Sequence, residues 1–345
     1  MPYRLGVVVA SPKLSTGAWP DAAARARLHF VSGKGGTGKS TVAAALALAL
    51  AEGGRRVLLV EVEGRQGIAQ LFEVPPLPPE ETRVAAAEGG GEVVALAIDI
   101  ETAFLEYLDM FYNLGFAGRA MRKFGAIEFA TTIAPGLRDV LLTGKIKETA
   151  VRTDKDGTRA YDAVVVDAPP TGRIGSFLDV TQAMADLAKG GPVRAQSEGV
   201  VRMLHSDETV VHLVTLLEAL PVQETADAAA ELAASGLNLG AVVVNRTSPQ
   251  FLPEDVVTAA ADGVLDAESI RADLSGAGVS LSDEDFAGLL TETIEHASVV
   301  EAQARSAEQL SQVGGARLQL PALVEGIDLG ALYELADALR EQGVR

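Results

Sequence analysis

A glycine-rich segment has the residue types and spacing that bind phosphate. Residues 33–41 read Gly-Lys-Gly-Gly-Thr-Gly-Lys-Ser-Thr and fit the pattern G-x-x-x-x-G-K-[ST]. Glycines let successive backbone N–H groups surround phosphate oxygens, Lys39 can reach the β- and γ-phosphates, and the Ser40 hydroxyl can bind Mg²⁺. The predicted phosphate-binding residues are Gly33, Lys34, Gly35, Gly36, Thr37, Gly38, Lys39, Ser40 and Thr41. We call this segment the P-loop and predict a nucleotide site there.

Lys34 follows the first glycine of the P-loop, where the ordinary pattern has no lysine. Since Lys39 already occupies the phosphate-facing position, Lys34 is not expected to reach the phosphates of its own chain. It could instead reach a nucleotide bound to a second subunit across a dimer interface, as an arginine finger does. The alternative is a solvated surface lysine.

A second segment ends in an aspartate. Residues 161–167 read Tyr-Asp-Ala-Val-Val-Val-Asp, an apolar run typical of a buried strand. An aspartate that ends such a strand, in a chain with a P-loop, is the Walker B arrangement, and Asp167 would hold Mg²⁺ through water. The loop 168–172 follows at once and is expected near the γ-phosphate.

Apolar runs and helical segments alternate along much of the chain and would position these residues. The predicted strands cover residues 28–32, 56–62, 92–98, 161–167, 210–217 and 240–245. Residues 42–52 are the predicted helix after the P-loop, and two glycines end it. Continuous Val- and Leu-rich strands indicate a parallel sheet that helices cover on both faces.

Three segments depart from this alternation. Residues 1–26 have no clear periodicity and contain prolines and glycines, which predicts a flexible N-terminal arm. Residues 27–345 form the predicted domain. Within it, residues 101–150 read as a helical insertion, and residues 250–315 as an acidic helical segment with a helix start near Asp283.

The helical insertion is rich in aromatic side chains, with seven between Phe104 and Phe129. They either pack the core of the insertion or line a reduced hydrophobic groove, and we favour packing because most aromatic residues are buried for that reason. The basic run 118–123 is either a surface that faces a partner or a solvated helix face.

Composition excludes several classes of protein. The 345 residues include 29 Lys and Arg against 47 Asp and Glu, a formal net charge of −18, which argues against binding to nucleic acid or to anionic lipid. The absence of cysteine excludes disulfides, thiolate zinc sites and Cys-ligated iron–sulfur clusters. The longest apolar run, residues 42–51, is too short for a transmembrane segment. We predict a cytoplasmic protein.

The motifs resemble those of the deviant-Walker ATPases of the arsenite-pump and tail-anchored-protein-targeting family. The resemblance rests on GKGGTGKST, VVVDAPPTG and the helical insertion between them, and it extends over residues 27–345. It is strongest for the actinobacterial branch called anion-transporting ATPases. It implies a doubly wound, mostly parallel α/β fold of the P-loop NTPase type with a deviant Walker A motif. It also implies ATP and Mg²⁺ as ligands, and a dimer with nucleotides between its subunits.

The resemblance gives roles to matching residues. Lys34 matches the lysine that acts across the dimer, Lys39 the phosphate lysine, Ser40 the Mg²⁺-binding hydroxyl and Asp167 the switch II aspartate.

Three further matches concern the nucleoside. Asn245 matches an adenine-reading asparagine, and its amide has the donor and acceptor that an adenine edge requires. Without the resemblance it is a polar strand terminus. Glu218 matches a glutamate that contacts the nucleoside across the dimer, and Pro321 lies in a loop over the base. By themselves, Glu218 reads as a surface residue and Pro321 as a strand end.

Residues 61–66, at the end of the second predicted strand, correspond to the family's switch I. They depart from the family pattern D-P-A-H, in which the aspartate orients the attacking water. Here Glu63 stands at the aspartate's place, one methylene longer. Because a displacement of about 1 Å can cost on the order of a hundredfold in rate, Glu63 either positions water or has a regulatory or structural role. The cysteines that bind zinc or arsenite in relatives are missing, so we expect no zinc and disfavour metalloid or anion efflux.

Two functions therefore compete. The first is a weakly hydrolysing, dimeric ATP switch that acts on a protein or membrane-protein partner, with a hydrophobic polypeptide as a candidate client. The second is a regulatory subunit that completes a heterodimer with a paralogous ATPase, and the altered switch I favours it. The sequence leaves homodimer and heterodimer open.

Overall fold

A computed structural model describes residues 18–112, 137–187, 192–323 and 326–345. Within these ranges the centre of the fold is one sheet of eight strands. They are β1 (Leu28–Gly33), β2 (Arg56–Glu61), β3 (Thr82–Ala86), β4 (Glu92–Ala97), β5 (Ala163–Asp167), β6 (Thr209–Thr215), β7 (Leu239–Thr247) and β8 (Ala316–Pro321).

The strands lie in the order β3-β4-β2-β5-β1-β6-β7-β8. All neighbours run parallel except β3, which pairs antiparallel with β4 at the edge of the sheet. The parallel sheet confirms the prediction from the apolar runs. Strand β3 is not among the predicted strands, because its short run alternates poorly and pairs through an irregular register.

Twelve α-helices surround the sheet in the described ranges. They are α1 (Asp21–Arg25), α2 (Lys39–Ala51), α3 (Gly67–Leu71), α4 (Ile100–Tyr112), α5 (Leu137–Val151), α6 (Thr171–Leu187), α7 (Pro192–Leu204), α8 (Ala219–Ala234), α9 (Glu254–Ala261), α10 (Ala267–Gly276), α11 (Asp283–Leu310) and α12 (Leu329–Glu341).

Each face of the sheet has its own apolar core. Successive residues of a strand point to opposite faces, so Leu59 packs with α2 and α12 while Leu58 packs with α5, α6, α7 and α8. Helix α2 is buried along Val42–Ala51, because it lies between the sheet and α12 and its alanines allow close approach. This two-layered covering confirms the doubly wound α/β class and fixes the P-loop at the start of a helix that cannot shift easily.

Part of the predicted N-terminal arm is packed against the domain. Trp19 is only 7% exposed, and its backbone N–H donates to the carbonyl oxygen of Gln342 at 3.2 Å. Ala23 in α1 is also buried. For residues 18–26 the structure thus differs from the expectation of flexibility, because an indole offers a large apolar area to bury. Residues 1–17 lie outside the described residues.

The two atypical segments are helical where the structure describes them. Helices α4 and α5 belong to the insertion, and Phe104 is buried there against the core, whereas the rest of the cluster from residue 113 on and the basic run 118–123 lie outside the described residues. In the acidic segment, α11 begins at Asp283 as expected, and the Ser282 hydroxyl caps it by accepting from the N–H of Asp285 at 3.1 Å.

Two histidines and Trp19 form a buried stack beside the sheet. The ring centroids of Trp19 and His212 are 5.1 Å apart, and those of His29 and His212 are 5.4 Å apart. The N–H of Ala241 donates to His212 Nδ1 at 3.0 Å, so the proton of that ring lies on Nε2, which is 3.1 Å from His29 Nδ1. Burial lowers the pKa of His29 to about 4 and also lowers that of His212.

Stability should therefore fall in mild acid. Because the unfolded chain binds the His29 proton more readily than the folded chain, the contribution is complete above pH 6.5 and is lost as the pH falls towards 4. The pKa difference corresponds to about 3 kcal/mol of unfolding free energy. Urea unfolding between pH 7.5 and 4.5 measures it, and His29→Phe should flatten the pH dependence whereas His205→Gln, at an exposed imidazole, should not. An equal slope in all three proteins would contradict the assignment.

Candidate nucleotide-binding site

The P-loop forms a tight turn between β1 and α2. Gly38 precedes α2 with φ +87°, and a side chain there would clash with the Asn245 amide. At Gly33 a Cβ atom would lie 2.5 Å from the carbonyl oxygen of Val214 on β6. The Thr37 hydroxyl closes the turn by donating to the Lys34 carbonyl oxygen at 2.8 Å. The result is a backbone concavity at a helix N-terminus, the geometry that binds phosphate.

Four side chains meet at the carboxyl edge of the sheet beside this turn. Lys39 Nζ lies 3.1 Å from Asp167 Oδ1 and 3.2 Å from Glu63 Oε2. The Ser40 hydroxyl donates to Asp167 Oδ2 at 2.6 Å. The side chains of Lys39, Glu63 and Asp167 are between 9% and 17% exposed. The structure thus brings together the four residues that the sequence selected from three separate segments.

The electrostatics of this cluster suit a bound cation. Burial raises the pKa of Asp167, and the nearby charge of Glu61 raises it further. The positive charge of Lys39 and the hydrogen bond from Ser40 lower this pKa. The hydroxyl and carboxylate oxygens of Ser40 and Asp167 lie side by side, and oxygen is the ligand that Mg²⁺ prefers. These residues therefore fit the predicted Mg²⁺.

A buried carboxylate that the sequence analysis did not select holds switch I. Glu61 is 2% exposed, and its two oxygens accept from the N–H groups of Gln66 at 2.6 Å and Ile68 at 3.1 Å. Gln66 adopts φ 58° at the start of α3, a conformation that this anchor stabilises. The available signal was an ionisable residue at the end of an apolar strand. Glu61 therefore fixes the loop that presents Glu63 to Lys39.

Lys34 pairs with a residue outside the Lys39 cluster. Its ammonium lies 2.7 Å from Glu224 Oε1 on α8, and the two side chains are 28% and 36% exposed. The same helix begins directly after Glu218, which is exposed. Glu224 could not be linked to Lys34 from the sequence, because 190 residues separate the two.

Asn245 lies beneath the P-loop. Its side-chain nitrogen donates to the Thr37 carbonyl oxygen at 2.9 Å, and its side-chain oxygen accepts from the N–H of Arg246 at 3.0 Å. An amide nitrogen carries two hydrogens, so one stays available for a base. Pro321 is exposed at the end of β8, paired with Thr247 at the end of β7. The structure places Asn245 and Pro321 at the same edge of the sheet, and their nucleoside roles stay predictions.

The chain has clear relatives among known proteins. The sequence profile named anion-transporting ATPase matches residues 26–191. ATPase BagA of Mycobacterium tuberculosis is 67% identical over 327 residues, which cover 95% of this chain and 96% of that protein. The chain belongs to the anion-transporting ATPase family. It is also similar to a putative arsenical pump-driving ATPase of Aquifex aeolicus, 24% identical over 66% of this chain and 82% of that protein.

Membership confirms the family that the motifs indicated, and this chain is an ATP-hydrolysing enzyme. The arsenical pump-driving ATPase of Escherichia coli is 25% identical over 72% of this ATPase and 44% of its own length. Among the described residues of this anion-transporting ATPase, none of the helices combines the length and apolar character needed to cross a membrane.

Proposed function

We propose that this ATPase binds ATP with Mg²⁺ at the P-loop and works as a dimeric switch whose nucleotide state is coupled to a protein or membrane-protein partner. The observation that carries the proposal is that Lys39, Ser40, Glu63 and Asp167 meet beside the P-loop. Because the chemistry consumes ATP, we place the protein in the cytoplasm.

Each residue of the cluster has a distinct proposed task. The P-loop N–H groups and Lys39 bind the β- and γ-phosphates, and Lys39 exchanges its carboxylate partners for phosphate oxygens. Mg²⁺, when bound, supplies positive charge to the same phosphates. Ser40 and Asp167 would hold this cation with their oxygen atoms. Glu63 is then free of Lys39 and orients the attacking water.

The position of Lys34 supports a dimer. Its own chain engages it through Glu224, away from the Lys39 cluster, so a role in hydrolysis requires a second subunit. Glu218 starts the helix that carries Glu224, and we place it at the nucleoside of that second subunit. Asn245 and Pro321 complete the base site of the chain's own nucleotide.

The second candidate function is a regulatory subunit of a heterodimer with a paralogous ATPase. The observation that favours it is Glu63 itself, because its longer side chain stands where an aspartate would position water. A carboxylate that lies 3.2 Å from Lys39 can neutralise the charge of that lysine without serving catalysis. In both cases the switch binds or releases a polypeptide partner, and a hydrophobic polypeptide is one candidate for this partner.

Turnover of the purified chain separates the two candidates. Alone, it should hydrolyse ATP slowly with Mg²⁺ and not at all with EDTA. Asp167→Asn should remove the activity, whereas Asp207→Asn, at an exposed carboxylate, should not. Activity that appears only after addition of a purified paralogue supports the regulatory subunit. No nucleotide binding in either preparation would refute both.

A further inference from the structure

A polar cavity lies beside Glu63, which is one of its lining residues. It has a volume of about 220 Å³ and lies between switch I, the loop after β5 and the first turns of α5 and α6. Its lining residues are Val62, Glu63, Arg65, Arg138, Asp139, Leu142, Pro169 and Arg173. We call it the arginine cavity. Like the P-loop, it is at the carboxyl edge of the parallel sheet, where doubly wound folds bind their ligands.

Three arginines from three separate elements line this cavity. Arg65 follows β2, Arg138 is in the first turn of α5 and Arg173 is in the first turn of α6. A chain with a net charge of −18 has little reason to gather cations by chance. Guanidinium groups bind oxyanions in a planar, two-bonded geometry, and the positive N-terminal end of α6 adds to their field.

The two carboxylates in the cavity do not neutralise the positive charge of the three arginines. Glu63 Oε2 is engaged by Lys39 at 3.2 Å, while Arg65 lies 3.8 Å from its other oxygen. Asp139 lies 3.9 Å from Arg173, beyond hydrogen-bond distance. Burial raises the pKa of Asp139, whereas the charges of Arg173 and Arg138 lower it. The cavity is therefore lined by three arginines and only two carboxylates, and one of these carboxylates, Glu63, also pairs with Lys39.

The size and the floor of the cavity limit the ligand. A volume of about 220 Å³ is below the roughly 300–1,000 Å³ of sites for drug-sized molecules and far above the ~30 Å³ share of one water. Val62 and Leu142 form a buried apolar floor. The Ser32 hydroxyl fixes one wall by donating to the Pro169 carbonyl oxygen at 2.6 Å. A cavity of this size suits a small oxyanion with a few waters.

We propose that the arginine cavity is a binding site for a small tetrahedral oxyanion, phosphate or sulfate, distinct from the P-loop. The oxyanion accepts hydrogen bonds from Arg65, Arg138 and Arg173. When the oxyanion binds, Arg65 moves from Glu63 to the oxyanion. Because Glu63 also contacts Lys39, this exchange couples the arginine cavity to the P-loop. Two sources supply such an ion: phosphate released at the neighbouring P-loop, or an oxyanion from solution.

The test titrates inorganic phosphate into the full chain by calorimetry after a non-hydrolysable ATP analogue and Mg²⁺ have filled the P-loop. One further phosphate should bind. Arg138→Ala and Arg173→Ala should each weaken it by about tenfold, and the double variant should abolish it. Arg305→Ala is the matched control, because that exposed arginine pairs with Glu301 on its own helix. Arg138→Lys should retain part of the affinity, which separates loss of charge from misfolding.

The outcomes are distinct from those of the proposed function. If the ATP analogue does not bind, the proposed ATP site is refuted. The phosphate titration is then carried out with Lys39→Ala, in which the P-loop is disabled. No phosphate binding with the P-loop blocked, or equal binding by the double arginine variant, overturns the arginine cavity. Sulfate distinguishes the sources: equal sulfate affinity supports an oxyanion from solution, and phosphate preference with altered phosphate release in the double variant supports the product.

Discussion

Lys39→Ala is expected to abolish the thermal stabilisation that ATP gives the wild-type chain. At an ATP concentration about 100 times the wild-type Kd, binding should add about 2.7 kcal/mol to the free energy of unfolding. The variant lacks the nearly buried cation that we propose to face the β- and γ-phosphates. A loss of about 3 kcal/mol in binding raises Kd by more than a hundredfold and leaves less than ~0.5 kcal/mol of stabilisation.

Thermal unfolding with and without ATP and Mg²⁺ measures this effect. Lys155→Ala is the matched control, since Lys155 is an exposed lysine far along the chain from the P-loop and should keep the full stabilisation. Without nucleotide, Lys39→Ala leaves the carboxylates of Glu63 and Asp167 without their cation, so its baseline stability must be measured separately. Undiminished stabilisation by ATP in Lys39→Ala would refute the proposal that the P-loop binds the phosphates through Lys39.

The sequence indicated the nucleotide site because its chemistry is local. The P-loop needs nine consecutive residues, and Asp167 needs only an apolar strand before it. A parallel sheet then brings the carboxyl ends of β1, β2 and β5 to one edge, where Glu63 and Asp167 meet Lys39. Residue type and strand direction were sufficient for the P-loop and Asp167, whereas Glu63 was selected through its match to the family's switch I aspartate.

Contacts that depend on packing between distant elements could not be predicted in this way. The ion pair of Lys34 and Glu224 depends on how α8 lies against the P-loop, and no spacing rule links residues 190 positions apart. The burial of Trp19 depends on the side chains of His29 and His212 from two neighbouring strands. The arginine cavity joins three elements whose arginines, taken singly, read as solvated surface residues.

Lys34→Ala should leave ATP affinity nearly intact and lower hydrolysis by at least a hundredfold. Cations that reach phosphate from a second subunit contribute about 10³–10⁵ to the rate, because they act on charge that develops in the transition state. The expectation rests on the contact of Lys34 with Glu224, which keeps the ammonium away from the phosphate cradle of its own chain. Steady-state turnover and ATP titration of the same preparation separate rate from affinity.

Glu224→Gln distinguishes a catalytic lysine from a structural one. If Lys34 only stabilises α8 through its ion pair, removal of either partner should have the same effect. If Lys34 acts across a dimer, Glu224→Gln keeps the ammonium and should preserve hydrolysis, because it frees Lys34 for the second subunit. Equal losses of hydrolysis in Lys34→Ala and Glu224→Gln would support the structural role.

A mixed dimer identifies the subunit on which Lys34 acts. In a homodimer, one chain with Lys34→Ala and one with Asp167→Asn should have one competent site, since the intact Asp167 of the first chain meets the intact Lys34 of the second. Each variant alone should have none, so activity that appears only on mixing requires action between subunits. In a heterodimer, Lys34→Ala should instead impair the site of the partner. Wild-type hydrolysis by Lys34→Ala, with every natural subunit present, would mean that Lys34 is an ordinary surface lysine.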